Sequence, residues 1–167
     1  KDIPNVDPAY ADAEGFKEWI TKAKGVQEGN IIHLRDATGS QLESVFGNER
    51  SHKGRLYNWA KPNISNVYVY FAGHGVPTGE DGRAMLVPSD ADAATIDLTG
   101  YPLEVLYKNL KRLPAKSIIV VLEACFSGQS PGGEIISRSS GIFVAPKSPS
   151  VPSSITVISA GRPSQMA

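Results

Sequence analysis

Apolar residues along this chain fall into two alternating rhythms. The first is helical: Ala9, Ala13, Phe16, Ile20 and Ala23 recur at spacings of three and four and share one face. Asp7-Pro8 supplies an N-cap acceptor and a proline at the first helical position, and Gly25 stops the helix. Residues 30–34 (N-I-I-H-L) then read as a short strand, ended by the turn Arg35-Asp36-Ala37-Thr38-Gly39. Leu42, Val45 and Phe46 mark a second helix, and Leu56, Tyr57 and Trp59 a third, stopped before Pro62. Residues 67–71 (V-Y-V-Y-F) predict a strand, 73–83 a mobile glycine-rich loop, 84–87 a short strand or extended segment and 88–97 an acidic loop. Leu103, Leu106, Tyr107, Leu110 and Leu113 keep helical spacing over 102–113. The run from Ile118 to Leu122 is unbroken and apolar, the signature of a strand buried on both faces of a parallel sheet. Residues 129–154, rich in Ser, Gly and Pro, read as a long surface loop, and 155–160 as a last strand. Helices alternating with apolar strands predict one α/β domain with a mainly parallel sheet.

Composition narrows the function classes. The 167 residues carry 17 basic and 17 acidic side chains with no basic run, so no electrostatic footprint for nucleic acid is present. No apolar stretch approaches the roughly 20 residues of a membrane helix. The single cysteine excludes an internal disulfide, and compartment cannot be read from the chain. One cysteine with His33, His52 and His74 gives no metal-ligand spacing. No glycine-rich phosphate loop opens a helix after a strand, which argues against a nucleotide-binding domain.

The chemistry lies at two strand ends. The strand 118–122 runs into Glu123-Ala124-Cys125-Phe126-Ser127-Gly128, and the strand 67–71 into Ala72-Gly73-His74-Gly75. Open α/β sheets bind ligands at this end. If the two strands are parallel neighbours, His74 and Cys125 share one crevice. A thiol is only a few per cent thiolate at neutral pH, and a nearby imidazole activates it and later protonates a leaving amine. The N–H groups of Gly75 and Cys125 are unobstructed donors for an oxyanion. Singly, each residue has a plainer reading: a lone cysteine is more often a small buried hydrophobe. His33 reads as a packed or edge histidine, and His52 as solvated surface.

F-A-G-H-G at 71–75 and E-A-C-F-S-G at 123–128 resemble the two active-site motifs of caspase-family cysteine peptidases of clan CD, most of all their bacterial and metacaspase branch. Asp12-Ala13, D-A-T-G at 36–39, M-L-V-P-S-D at 85–90 and L-P-A-K-S at 113–117 extend the likeness over nearly the whole chain. The resemblance implies a caspase-like three-layer sandwich and a single p20-type catalytic domain over 1–167. It also implies truncation at both ends: a first strand is expected before Lys1, in the sheet between the 30–34 and 67–71 strands, and further elements after Ala167.

The implied activity is a cysteine endopeptidase acting on proteins or peptides, with Cys125 as nucleophile, His74 as base, and the N–H groups of Gly75 and Cys125 as oxyanion hole. Bond cleavage needs no cofactor. Glu123, where the family usually has Asp, and Asp36 are implied to form a pocket for Arg or Lys at the cleaved position. Arg138 and Lys147 are then candidate self-cleavage sites. Calcium activation would draw on Asp90, Asp92 and Asp97, although their spacing fits a solvated acidic loop better. The alternative to an enzyme is a catalytically silent caspase-like adaptor with the same fold.

Overall fold

The computed structural model describes residues 3–79, 81–124, 126, 129–130, 133–134, 147 and 149–160. The first helix, α1 (Pro8–Lys24), ends where Gly25 turns left-handed (φ 67°) and returns its N–H to the Thr21 carbonyl. Asp7, expected as the N-cap, is itself in helical conformation and makes no capping bond. The real capping box stands at α2 (Gly39–Phe46), where Thr38 and Gln41 exchange hydrogen bonds at 3.3 and 2.9 Å. Such caps contribute about 1 kcal/mol. Helix α3 (Arg55–Trp59) follows.

Three parallel strands form the main sheet, in the order β1 (Asn66–Ala72), β5 (Ser117–Glu123), β8 (Ile155–Ser159). Between β1 and β5 the chain makes an antiparallel unit of β2 (Gly75–Thr78), β3 (Arg83–Leu86) and β4 (Tyr101–Pro102), with α4 (Ile96–Thr99) before β4. Helix α5 (Leu103–Leu110) then leads into β5. A two-residue antiparallel pair, β6 (Gln129–Ser130) and β7 (Gly133–Glu134), precedes β8. The α/β class with a parallel sheet is therefore correct. No described helix is long and apolar enough to cross a membrane.

One face of the sheet carries the core. Val67 and Val69 of β1 align with Ile118 and Val120 of β5 and pack with Leu106 and Leu110 of α5, all buried. The other face lies under α1, where Phe16 stacks on Tyr70 with ring centroids 4.5 Å apart. The expectation that β5 is buried on both faces is corrected here. Its burial alternates, with Val120 fully buried and Ile119 and Val121 half-buried, because α1 lies over β1 and covers this second face only in part.

Three further expectations change. The loop expected over 73–83 contains β2, which pairs with β3 because Gly79 and Gly82 (φ 66° and 70°) supply the left-handed turn between them. The acidic stretch 88–97 is partly helical, ending in a short turn at Ala93–Thr95 and the start of α4. The strand expected over 30–34 is a helical turn at Glu28–Asn30 followed by extended chain without a ladder. A cavity of about 1210 Å³, lined by Ile31–Leu34 and by β1, lies between that segment and the sheet, so neither side finds the other's hydrogen-bonding groups. This is the place where the resemblance puts a first strand.

Two core tyrosines make stability pH-dependent. Tyr101, whose hydroxyl donates to the Gly47 carbonyl at 2.8 Å, and Tyr107 are both buried. Burial pushes Tyr101 well above the usual tyrosine range and Tyr107 up to about 12. Unfolded tyrosines ionise near 10, so the folded chain holds more protons above that pH. Stability from these groups is complete below about pH 10 and falls as pH rises towards the folded values, by about 1.4 kcal/mol per group per pH unit. Urea midpoints at pH 8, 10 and 11 should drop across the last interval; a flat profile would contradict this burial.

Candidate active site

The register of the main sheet decides where the two motifs meet. β1 and β5 run side by side and parallel, with Ala72 opposite Glu123 at their C-terminal ends. Gly73 N–H extends that ladder by one bond, to the Glu123 carbonyl at 3.2 Å. Gly73 has φ 156°, a conformation that L side chains rarely adopt, and this lets β1 swing at once into the His74 bend. The strands bearing His74 and the E-A-C-F sequence are therefore adjacent, as the crevice argument required. Cys125 itself, with Gly128 and Arg138, lies outside the described residues.

The residue after Cys125 is informative. The Phe126 ring packs so closely over Gly75 that a Cβ built there would meet its Cδ1 and Cε1 atoms at 2.6 Å. A larger residue fits there only if the ring shifts. The neighbour of Cys125 thus touches the neighbour of His74, and Ala124 is buried.

His74 is half-buried and anchored from both directions. Its carbonyl accepts the Val87 N–H at 3.0 Å, and its Nε2 donates to the Pro4 carbonyl at 2.7 Å. A carbonyl can only accept, so the proton sits on Nε2 and Nδ1 is left as the basic nitrogen. The Pro4 contact was not legible in the sequence, because the group that meets His74 is a backbone oxygen and carries no side-chain signature.

The ladder also sets which way the Gly75 N–H points. Val87 N–H to His74 O makes 74/87 a hydrogen-bonded pair of the antiparallel ladder. The next pair, Gly75 opposite Leu86, must turn its polar groups outward. Pro77, two residues on, shares that class, where a missing N–H removes no ladder bond. The Gly75 N–H therefore points off the outer edge of β2, away from β3, and makes no backbone bond among the described residues, while the Phe126 ring covers the residue's other side.

The two acids expected in the specificity pocket are each held by a tyrosine. Asp36, left-handed at φ 49°, accepts from the Tyr10 hydroxyl at 2.5 Å, while its carbonyl accepts from Ser89 Oγ at 2.6 Å. That hydrogen bond is the main reason the Tyr10 hydroxyl is harder to ionise than usual. Glu123, exposed at the end of β5, accepts from the Tyr70 hydroxyl through Oε2. Asp36 and His74 line the same cavity, as does Tyr70; Glu123 does not. Neither acid enters an ion pair among the described residues.

The remaining candidates have structural roles. His33 lies 3.8 Å from Glu14 of α1, and His52 packs edge-on against Tyr57. Asp90 accepts the Gly39 N–H at 2.8 Å and Asp92 the Ala94 N–H at 2.8 Å, so both spend a carboxylate oxygen on backbone. No group of three His, Cys, Asp or Glu that could hold a metal occurs among the described residues. Lys147 is exposed, and its N–H donates to the Gly82 carbonyl at 2.8 Å, fixing its backbone beside Arg83. No family model, curated protein or solved structure matches the chain.

Proposed function

We propose that this chain is a caspase-like cysteine endopeptidase domain that cleaves peptide bonds after Arg or Lys through a Cys125/His74 dyad. The observation that carries the reading is the 2.7 Å bond from His74 Nε2 to the Pro4 carbonyl. A catalytic base is effective when a third group fixes its tautomer and direction. Here that group is a backbone carbonyl, and the nitrogen it leaves basic is Nδ1. The adjacency of β1 and β5 and the Phe126–Gly75 contact add to it.

On this reading Nδ1 takes the thiol proton as sulfur attacks the scissile carbonyl carbon. The negative charge moves to the carbonyl oxygen, held by the Gly75 and Cys125 N–H groups. The intermediate collapses as His74 returns the proton to the leaving amine, which departs and leaves a thioester. A water, deprotonated by His74, then attacks the thioester and releases the thiol. No cofactor takes part. Asp36 and Glu123, anionic and without a cation of their own among the described residues, suit a cationic side chain at the cleaved position.

The test is hydrolysis of fluorogenic peptides ending in Arg, Lys, Asp or Leu, by wild type and Cys125→Ala, with and without calcium. Cleavage after Arg and Lys, lost in the variant, is expected. Cleavage after Asp would keep the peptidase and sink the basic pocket. No cleavage by folded protein in any condition would point to the silent adaptor.

A further inference from the structure

We infer that Tyr70 is a positioning residue for specificity: its hydroxyl fixes the Glu123 carboxylate, two residues before Cys125 in the chain, so that the other carboxylate oxygen meets a cationic substrate side chain. The inference rests on the peptidase reading and deepens it.

Three observations carry it. First, the Tyr70 ring is not free to turn, being stacked on Phe16 at 4.5 Å and 14°. Its hydroxyl is therefore presented at a set point, where it meets Glu123 Oε2. Second, the sheet register makes the pair diagonal: Tyr70 lies opposite Val121, and Glu123 opposite Ala72. Side chains at such positions share a face, and a tyrosine is long enough to span the diagonal. Third, Glu123 is exposed, two residues before Cys125, and no other described residue bonds its carboxylate.

The chemistry of the tether matters. A Lys or Arg beside Glu123 would hold it but cancel its charge. A tyrosine hydroxyl orients one oxygen and leaves the full negative charge for a ligand. Burial together with Glu123 and the nearby Asp12 makes Tyr70 harder to ionise, so it remains a donor at any physiological pH. Glutamate also has one more rotatable bond than aspartate, so an acid of this length at a pocket rim gains more from a fixed partner.

The experiment compares kcat and KM on peptides ending in Arg, Lys and Leu for wild type, Tyr70→Phe, Glu123→Gln and the double variant. Phenylalanine keeps the ring stacked on Phe16 and removes only the hydroxyl. Tyr70→Phe should raise KM for Arg and Lys peptides about tenfold, with kcat and the Leu peptide unchanged. Glu123→Gln should erase the basic preference, and adding Tyr70→Phe to it should change nothing further. A Tyr70→Phe effect that is equal on Arg and Leu peptides, confined to kcat, or absent would overturn the positioning role while the peptidase stands. So would a wild type that cleaves without basic preference. A folded wild type that cleaves nothing overturns the peptidase reading itself, and this one with it.

Discussion

Gly75→Ala should lower kcat/KM on an Arg-ended peptide by about 10²-fold or more, although the change adds one methyl group. The new Cβ would stand 2.6 Å from two atoms of the Phe126 ring, a separation that real contacts do not tolerate. Gly75 is buried in β2, so the ring must yield rather than the strand. Phe126 is covalently next to Cys125, so on the proposed reading a shift of its ring would carry the thiol relative to His74. Overpacking of this kind costs about 1–3 kcal/mol of stability. Phe126→Leu in the same chain should recover part of the lost activity by making room for the methyl. Wild-type kinetics in Gly75→Ala would mean that the ring contact does not locate the thiol.

His74→Gln should be more severe in rate and milder in stability. The glutamine amide can still donate to the Pro4 carbonyl, so the loop keeps its anchor. It has no basic nitrogen, and both proton transfers are lost. We expect kcat to fall by about 10³-fold, with KM little changed and thermal unfolding within a few degrees of wild type. Because base and nucleophile act as a unit, combining it with Cys125→Ala should cost little beyond Cys125→Ala alone. A His74→Gln protein that retains most of its kcat would remove His74 from the mechanism.

The unequal legibility of the two halves of this site has a physical basis. His74, Gly75 and Cys125 stood out together, because each motif follows an apolar strand run and the two motifs resemble one family's pair. Tyr70 did not, since in V-Y-V-Y-F it reads as one more apolar strand position. Its hydroxyl acquires a role only when β5 is placed beside β1 with Glu123 within reach. The segment 31–34 failed in the opposite direction. Its residues have strand composition, but strand identity is a property of pairing, and among the described residues the pairing is missing.

By itself, then, the sequence determined the α/β class, the amphipathic helices, the apolar run of β5 and the two loops that carry His74 and Cys125. These are local properties, written in spacing and residue type. The tertiary structure alone decided that Ala72 stands opposite Glu123, that Phe126 closes on Gly75, and that a carbonyl at the fourth residue orients His74. Those contacts join positions tens of residues apart, and backbone hydrogen bonds leave no mark on the order of side chains.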